Sequence, residues 1–155
     1  MTCALVTVSD TRTAETDTSG KRMRELLEAD GHEIRSQEIF PDDPERVTAH
    51  VEAMLTDDVV ECLVLSGGTG IAARDTTYEA VDGLLETRLD GFGELFRVLS
   101  FDQIGAAAML SGAVAGVSEN TIVVVLPGAT AAVELGLERL LLPQLRQIVT
   151  LVRGA

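Results

Sequence analysis

An apolar run that ends in a cluster of glycines constrains this chain more than any other feature. Leu63-Val64-Leu65-Ser66 leads directly into Gly67-Gly68-Thr69-Gly70, and Arg74-Asp75-Thr76-Thr77 follows. An unalternating apolar run reads as a strand buried on both faces. Glycines at its end let main-chain N–H groups approach an anion closely. The spacing is neither Gly-x-x-x-x-Gly-Lys-Ser/Thr nor Gly-x-Gly-x-x-Gly, so two common phosphate loops are excluded. Lys21 is the one lysine of the chain. A phosphate held here must therefore be neutralised by backbone dipoles, by arginine, or by a metal ion on carboxylates, which makes Asp75 a candidate.

The same strand-then-loop pattern recurs. Residues 3–8 form a second doubly buried strand that opens into Ser9-Asp10. After a polar stretch, Met23, Leu26 and Leu27 give a helical stripe that stops at Gly31, a C-cap signal. Residues 33–40 read as a strand. Asp43 is placed to cap a helix that begins at Pro44 and buries Val47, Val51, Met54 and Leu55. Residues 62–66 are the next strand, and Thr76 or Thr77 caps a helix carrying Val81, Leu84 and Leu85. Gly91-Phe92-Gly93 breaks the pattern, with Phe92 as a core plug. Residues 94–101 and 105–110 read as short helices, with Met109 and Leu110 in the core. Residues 113–117 and 121–126 read as strands joined through Asn120. A last helix follows Pro127-Gly128 and ends near Leu142, with Pro143 interrupting it. Strands alternating with helices predict one domain over residues 1–155, a three-layer α/β/α fold with a mostly parallel sheet and one antiparallel edge strand.

Composition narrows the function. Asp plus Glu number 25 against 12 Lys plus Arg, a formal net charge of -13, which argues against a nucleic-acid partner. Hydrophobic residues make up 46% of the chain, so the charge coats a cored globule. Such an acidic coat predicts adaptation to high salt, where a Debye length of about 3 Å at 1 M screens self-repulsion. No apolar stretch reaches membrane-spanning length and no signal-peptide pattern opens the chain, so the expected location is the cytoplasm. Cys3 and Cys62 match no metal or redox spacing and read as buried free thiols. His32 and His50 read as ordinary surface residues.

Open α/β sheets bind ligands beyond the carboxyl ends of their strands. Three loops of that kind stand out: Ser9-Asp10, Ser66 to Gly70, and Pro127-Gly128 with Ala129-Thr130. Asp10, Asp42 and Asp75 fall in strand-end loops, where paired carboxylates can hold a hard cation such as Mg²⁺. For Asp42 and Asp75, helix capping or a solvated loop is the other reading. Arg12, Arg74 and Arg97 are scattered cations available to an anionic ligand. Glu94 is placed at the pocket rim.

Taken in order, Val8-Ser9-Asp10, Asp17-Thr18-Ser19-Gly20, Pro41-Asp42, Ser66 to Gly70 with Arg74-Asp75, Gly91 to Arg97, Ser111 to Gly116 and Leu126-Pro127-Gly128 resemble the MogA/MoaB family of molybdenum cofactor biosynthesis, on its MoaB-like side. The resemblance implies a molybdopterin adenylyltransferase that joins ATP to molybdopterin with Mg²⁺ and releases pyrophosphate. It implies Asp75 and Asp42 as catalytic and metal-positioning residues. Ser9, Asp10, Ser66, Gly67, Gly68, Thr69, Gly70, Glu94, Ser111, Pro127 and Gly128 would line the substrate sites. A homotrimer or hexamer is implied, with hand-over to a molybdate-inserting protein. The apolar residues Leu135, Leu137, Leu140, Leu141, Leu142 and Leu145, too many for one helix face, are compatible with such an assembly. The alternative is a non-catalytic pterin- or nucleotide-binding module that stores or delivers cofactor precursor. Three positions depart from the family pattern. Gly112 stands where arginine is common, Tyr78 where proline is usual, and Ala129 where a polar residue is common.

Overall fold

The computed structural model describes residues 1–154. Six strands form one sheet: β1 (Thr2–Val8), β2 (Glu33–Phe40), β3 (Cys62–Ser66), β4 (Thr87–Arg88), β5 (Val114–Ser118) and β6 (Thr121–Leu126), in the order β2-β1-β3-β6-β5-β4. β2, β1, β3 and β6 run parallel. The helices are α1 (Thr18–Ala29), α2 (Pro44–Leu55), α3 (Thr77–Asp82), α4 (Asp90–Ile104), α5 (Thr130–Gly136) and α6 (Leu142–Arg153).

Side-chain alternation along β1 sends Cys3 and Leu5 to one face and Ala4, Val6 and Val8 to the other, and both sets are buried. Met23 and Leu27 of α1, Phe96 of α4, Val133 of α5 and Leu145 of α6 cover the first face. Val47 and Val51 of α2 and Val81 of α3 cover the second. This is the expected three-layer arrangement. Cys3 and Cys62 are cross-strand neighbours, free and buried. The hydrogen bond with the adjacent Cys3 thiol, and then burial, push the Cys62 thiol well above its ordinary value, so it stays protonated and inert.

Local signals near element ends hold well. Asp43 accepts from the N–H groups of Glu45 and Arg46, with Pro44 in the first turn of α2. Gly31 has φ +82° just past α1. Asp17 caps the other end of α1. Its carboxylate accepts from the Gly20 N–H at 2.9 Å and from the Thr7 hydroxyl at 2.6 Å, tying the helix start to β1.

Several expectations fail, each for a tertiary reason. α3 stops at Gly83, so Leu84 and Leu85 pack on the core from a turn. Gly91 and Gly93 lie inside the first turn of α4, where Gly93 passes close to the Ala113 carbonyl; the helix therefore begins at Asp90, not Glu94. Phe92 does pack on the core, as partly buried. β5 and β6 form an antiparallel hairpin through Glu119 and Asn120, both with positive φ, but β5 is not the edge. Thr87–Arg88 pairs antiparallel with β5 and takes that place.

At the C-terminal end the chain stays helical. A π-helical turn over Leu137–Leu141 joins α5 to α6, and Pro143 sits in the first turn of α6, where its missing N–H costs little. That turn aligns Leu137, Leu141 and Leu145 on the core side, and Leu135 is buried with them. Leu140 and Leu142 are partly buried against the same core. These leucines thus serve the protomer's own core. Met109 and Leu110, placed in the core from sequence, are instead 77% and 52% exposed on the 3₁₀ turn Gly105–Leu110 after α4. His32 is buried, its Nε2 2.9 Å from Asp30 Oδ2 and its Nδ1 facing the N-terminal amine. His50 is half-buried, its ring 4.7 Å from that of Phe40. Neither is an ordinary surface residue.

Candidate active site

The chain goes from β1 outward to β2 and then returns to β3 on the other side of β1. This reversal opens a crevice at the carboxyl ends of β1 and β3, where open α/β sheets take ligands. The glycine bend fills the crevice mouth. Gly67 has φ +98° and donates its N–H to the Leu126 carbonyl. A Cβ on Gly67 would lie 2.2 Å from the Val8 carbonyl oxygen, so only glycine lets β3 turn this tightly against β1. Gly68 has φ +67°, and its missing Cβ leaves room for Thr77 Oγ1 and, 3.0 Å from that point, Asp42 Oδ2. Gly128 packs on the Gly67 Cα from below, so Pro127-Gly128 supports the bend.

One cavity of about 180 Å³ opens on the near side of the bend, lined by Ser9, Asp10, Asp42, Gly68, Arg74 and Asp75 among others. Asp10 Oδ1 accepts the Asp42 N–H at 2.9 Å, which joins the β1 and β2 loops. Asp42 Oδ1 is fixed by the Thr76 hydroxyl at 2.9 Å and the Thr76 N–H at 3.3 Å. The second oxygen faces the bend. Asp75 Oδ2 accepts from the Ala72 N–H and lies 2.7 Å from where a Cβ on Gly70 would be. Ser9 Oγ accepts from the Thr11 and Arg12 N–H groups, shaping the loop more than presenting a donor.

A second cavity of about 190 Å³ opens across the bend, lined by Thr69, Gly70, Tyr78, Arg97, Ser111 and Gly112 among others. Ser111 and Gly112 precede β5, which is antiparallel to β6 and therefore starts at the end where β6 finishes. Ser66 Oγ and Thr77 Oγ1 are buried beside the bend without a hydrogen-bond partner among the described residues. Buried hydroxyls left unpaired are costly, which marks both as groups poised for something other than packing.

Asp42 and Asp75 thus line one cavity with the glycine bend. Glu94 does not join them: it is exposed on α4 and lines neither cavity. Sequence reasoning named Thr76 and Thr77 only as helix caps and Arg97 only as a scattered cation, because Thr76 is singled out by Asp42, 34 residues away, and Thr77 and Arg97 by how the chain packs around the bend. Larger concavities of about 500 and 510 Å³ lie elsewhere. In the first, beside α1 and β2, the charged groups are already engaged: Asp17 caps α1, Lys21 donates to the Glu15 carbonyl, and Arg24 binds Glu28 and Gln37. The second adjoins the cavity across the bend, sharing Arg97 and Met109 with it, and is otherwise almost wholly apolar, with Val98 and Phe101 in its wall and Asp102 beside them.

Among the described residues no group of three or more His, Cys, Asp or Glu side chains is arranged to cage a metal. Mg²⁺ does not require such a cage, because it takes one or two carboxylates and completes its shell with water and substrate phosphates. Asp42, with one oxygen anchored and one facing the bend, and Asp75 on the same cavity suit that mode.

Comparison with known proteins agrees with this architecture. Residues 4–147 match the family described as "Probable molybdopterin binding domain". Molybdenum cofactor biosynthesis protein B of Bacillus subtilis is 45% identical over 152 residues, covering 97% of this chain and 89% of that protein. A crystal structure of a Molybdenum cofactor biosynthesis protein B superposes with a TM-score of 0.96 at 43% identity, covering 99% of this chain and 96% of that one. The tungsten cofactor synthesizing protein MoaB from Pyrococcus furiosus superposes with a TM-score of 0.85 at 33% identity, covering 98% and 96%. With its switch-point crevice, glycine bend and near full-length match, the chain belongs to the molybdopterin-binding-domain family, beside the MoaB proteins.

Proposed function

We propose that this chain catalyses the Mg²⁺-dependent adenylylation of molybdopterin by ATP. Membership of the MoaB group gives the coarser role, molybdenum cofactor biosynthesis. The observation that carries the finer reading is the convergence of Asp42, Asp75 and the Gly68 amide region on one cavity at the strand ends. In this reading a phosphate oxygen of the pterin attacks the α-phosphorus of ATP, and the bond to the β-phosphate oxygen breaks to release pyrophosphate. Bound Mg²⁺ would offset the negative charge of the ATP phosphates. Asp42 and Asp75 would hold it, Thr76 keeping Asp42 in one orientation. The bend would lay main-chain N–H groups along the phosphates, so that both reactants are held in line.

The homotrimer or hexamer belongs to the same proposal. The unpartnered apolar side chains on α4 and its following turn, Leu95, Val98, Phe101, Ile104, Met109 and Leu110, are each more than half exposed and offer a face for it. The cytoplasmic location and transfer of product to a molybdate-inserting protein complete the reading. No helix is long and apolar enough to cross a membrane among the described residues.

The test is pyrophosphate release from ATP in the presence of molybdopterin and Mg²⁺. Asp75→Asn should keep the wild-type fold and lose about 10²-fold or more in turnover, the scale of one well-placed electrostatic group. Undiminished turnover in that variant removes Asp75 from its role. Pterin binding without any pyrophosphate release by the wild type would replace the enzyme by the binding-module alternative.

A further inference from the structure

In a chain with 25 carboxylates against 12 basic side chains, seven of the eleven arginines are held by a carboxylate or a backbone carbonyl. Arg12, Arg22, Arg24, Arg35 and Arg88 sit on carboxylates, and Arg146 and Arg153 bind backbone carbonyls. Arg46, Arg74 and Arg139 are exposed. Arg97 is half-buried, yet it makes no ion pair or hydrogen bond with any described residue. Removing a cation partly from water without a partner costs stability, so its position calls for a partner from outside the chain.

The surroundings of Arg97 are built for it. Gly93, one helical turn earlier, has no Cβ; one placed there would lie 3.1 and 3.3 Å from the two terminal guanidinium nitrogens. The guanidinium therefore lies back along α4 toward the second cavity, in the direction long helical side chains favour. Across that cavity, a Cβ on Gly112 would lie 2.6 Å from the Thr69 carbonyl oxygen and 3.1 Å from Tyr78 Cδ2. Glycine at 112 thus lets the Tyr78 ring close one wall. The cavity joins a guanidinium, the side chains of Ser111 and Thr69, and an aromatic wall, with the exposed apolar Ile71 and Met109 at its rim. That combination suits a flat heterocycle bearing a phosphate, which guanidinium can bind through two parallel hydrogen bonds.

We propose that Arg97 recognises the phosphate monoester of the pterin, so that the two cavities divide the two anionic reactants. The near cavity sets three carboxylates, Asp10, Asp42 and Asp75, against Arg74, so it favours a phosphate that carries a cation, whereas the cavity across the bend sets a single carboxylate, Glu79, against Arg97. There the guanidinium itself can meet a phosphate without a metal ion. The glycine bend lies between them, where the monoester and the nucleotide must meet. This assignment rests on the adenylylation reading and adds which side of the bend each substrate occupies.

The experiment uses oxidised, fluorescent molybdopterin, the same compound after phosphatase treatment, and MgATP, each titrated into the wild type, Arg97→Met and Arg97→Lys. A charge-assisted bond of about 1.5–3 kcal/mol corresponds to roughly 10- to 100-fold in affinity. The wild type should prefer the phosphorylated pterin by that factor, Arg97→Met should lose the preference, and Arg97→Lys should regain part of it. Affinity for MgATP should stay within about two-fold in all three, because the nucleotide lies across the bend. Gel filtration should show one assembly state throughout. An intact preference in Arg97→Met overturns the proposal, as does a loss of MgATP affinity in place of pterin affinity, or a loss of preference that occurs only when the assembly dissociates. If the wild type binds neither pterin nor nucleotide, the adenylylation reading itself fails and this assignment falls with it.

Discussion

Replacing Gly67 by alanine isolates what the glycine bend contributes. Two costs add. At φ +98° an L-residue occupies a left-handed region that is unfavourable by about 1–2 kcal/mol. The new Cβ would also lie 2.2 Å from the Val8 carbonyl oxygen, roughly 1 Å inside contact distance. That oxygen belongs to the backbone at the end of β1, so relief requires moving a strand terminus, an overpacking cost of about 1–3 kcal/mol. The sum is about 2–5 kcal/mol, and at about 2–4 °C per kcal/mol for a chain of this size Tm should fall by roughly 4–20 °C. Gly105→Ala supplies the control, because Gly105 has φ +66° but nothing within 4 Å of its Cβ position, so it carries the conformational cost alone. Gly91→Ala, with neither a positive φ nor a neighbour within 4 Å, should be neutral or slightly stabilising in the first turn of α4. Thermal and urea unfolding of the three variants give the ranking. If Gly67→Ala unfolds together with Gly105→Ala, the close approach to Val8 is not what fixes the bend.

Two further outcomes follow from charge. His32 is held below its ordinary pKa first by burial and then by the N-terminal amine, while Asp30 pulls the other way. A depressed histidine binds fewer protons folded than unfolded, so its contribution is complete above about pH 6.5 and is lost as pH falls through the lowered folded value. His32→Gln should flatten that acid-side loss, and parallel wild-type and variant curves between about pH 7 and about pH 5 would count against it. The net charge of -13 should make stability salt-dependent: raising KCl from about 0.1 M to about 1 M shortens the Debye length from about 10 to about 3 Å and should raise Tm. An unchanged Tm over that range would dismiss adaptation to high salt.

What the sequence determined by itself is local. β2 at Glu33–Phe40, β3 at Cys62–Ser66, the Asp43-Pro44 start of α2 and the stop at Gly31 all follow from residues within a few positions of one another, because caps, φ preferences and side-chain period act over that range. The carboxylates of the near cavity were legible too, since strands of a parallel sheet must deliver their following loops to one end. Only the tertiary structure decided what meets across the sheet. Thr76 orients Asp42 from 34 residues away, and the antiparallel turn of β5 brings Ser111 and Gly112 to the end where Arg97 waits. The same holds for burial. His32 sinks beside the N-terminus, while Met109 and Leu110, apolar enough for any core, are left outside because the 3₁₀ turn after α4 gives the inward position to Ala108. Hydropathy says that a side chain prefers to leave water; which of the competing apolar residues succeeds is set by the volume available between particular helices and the sheet.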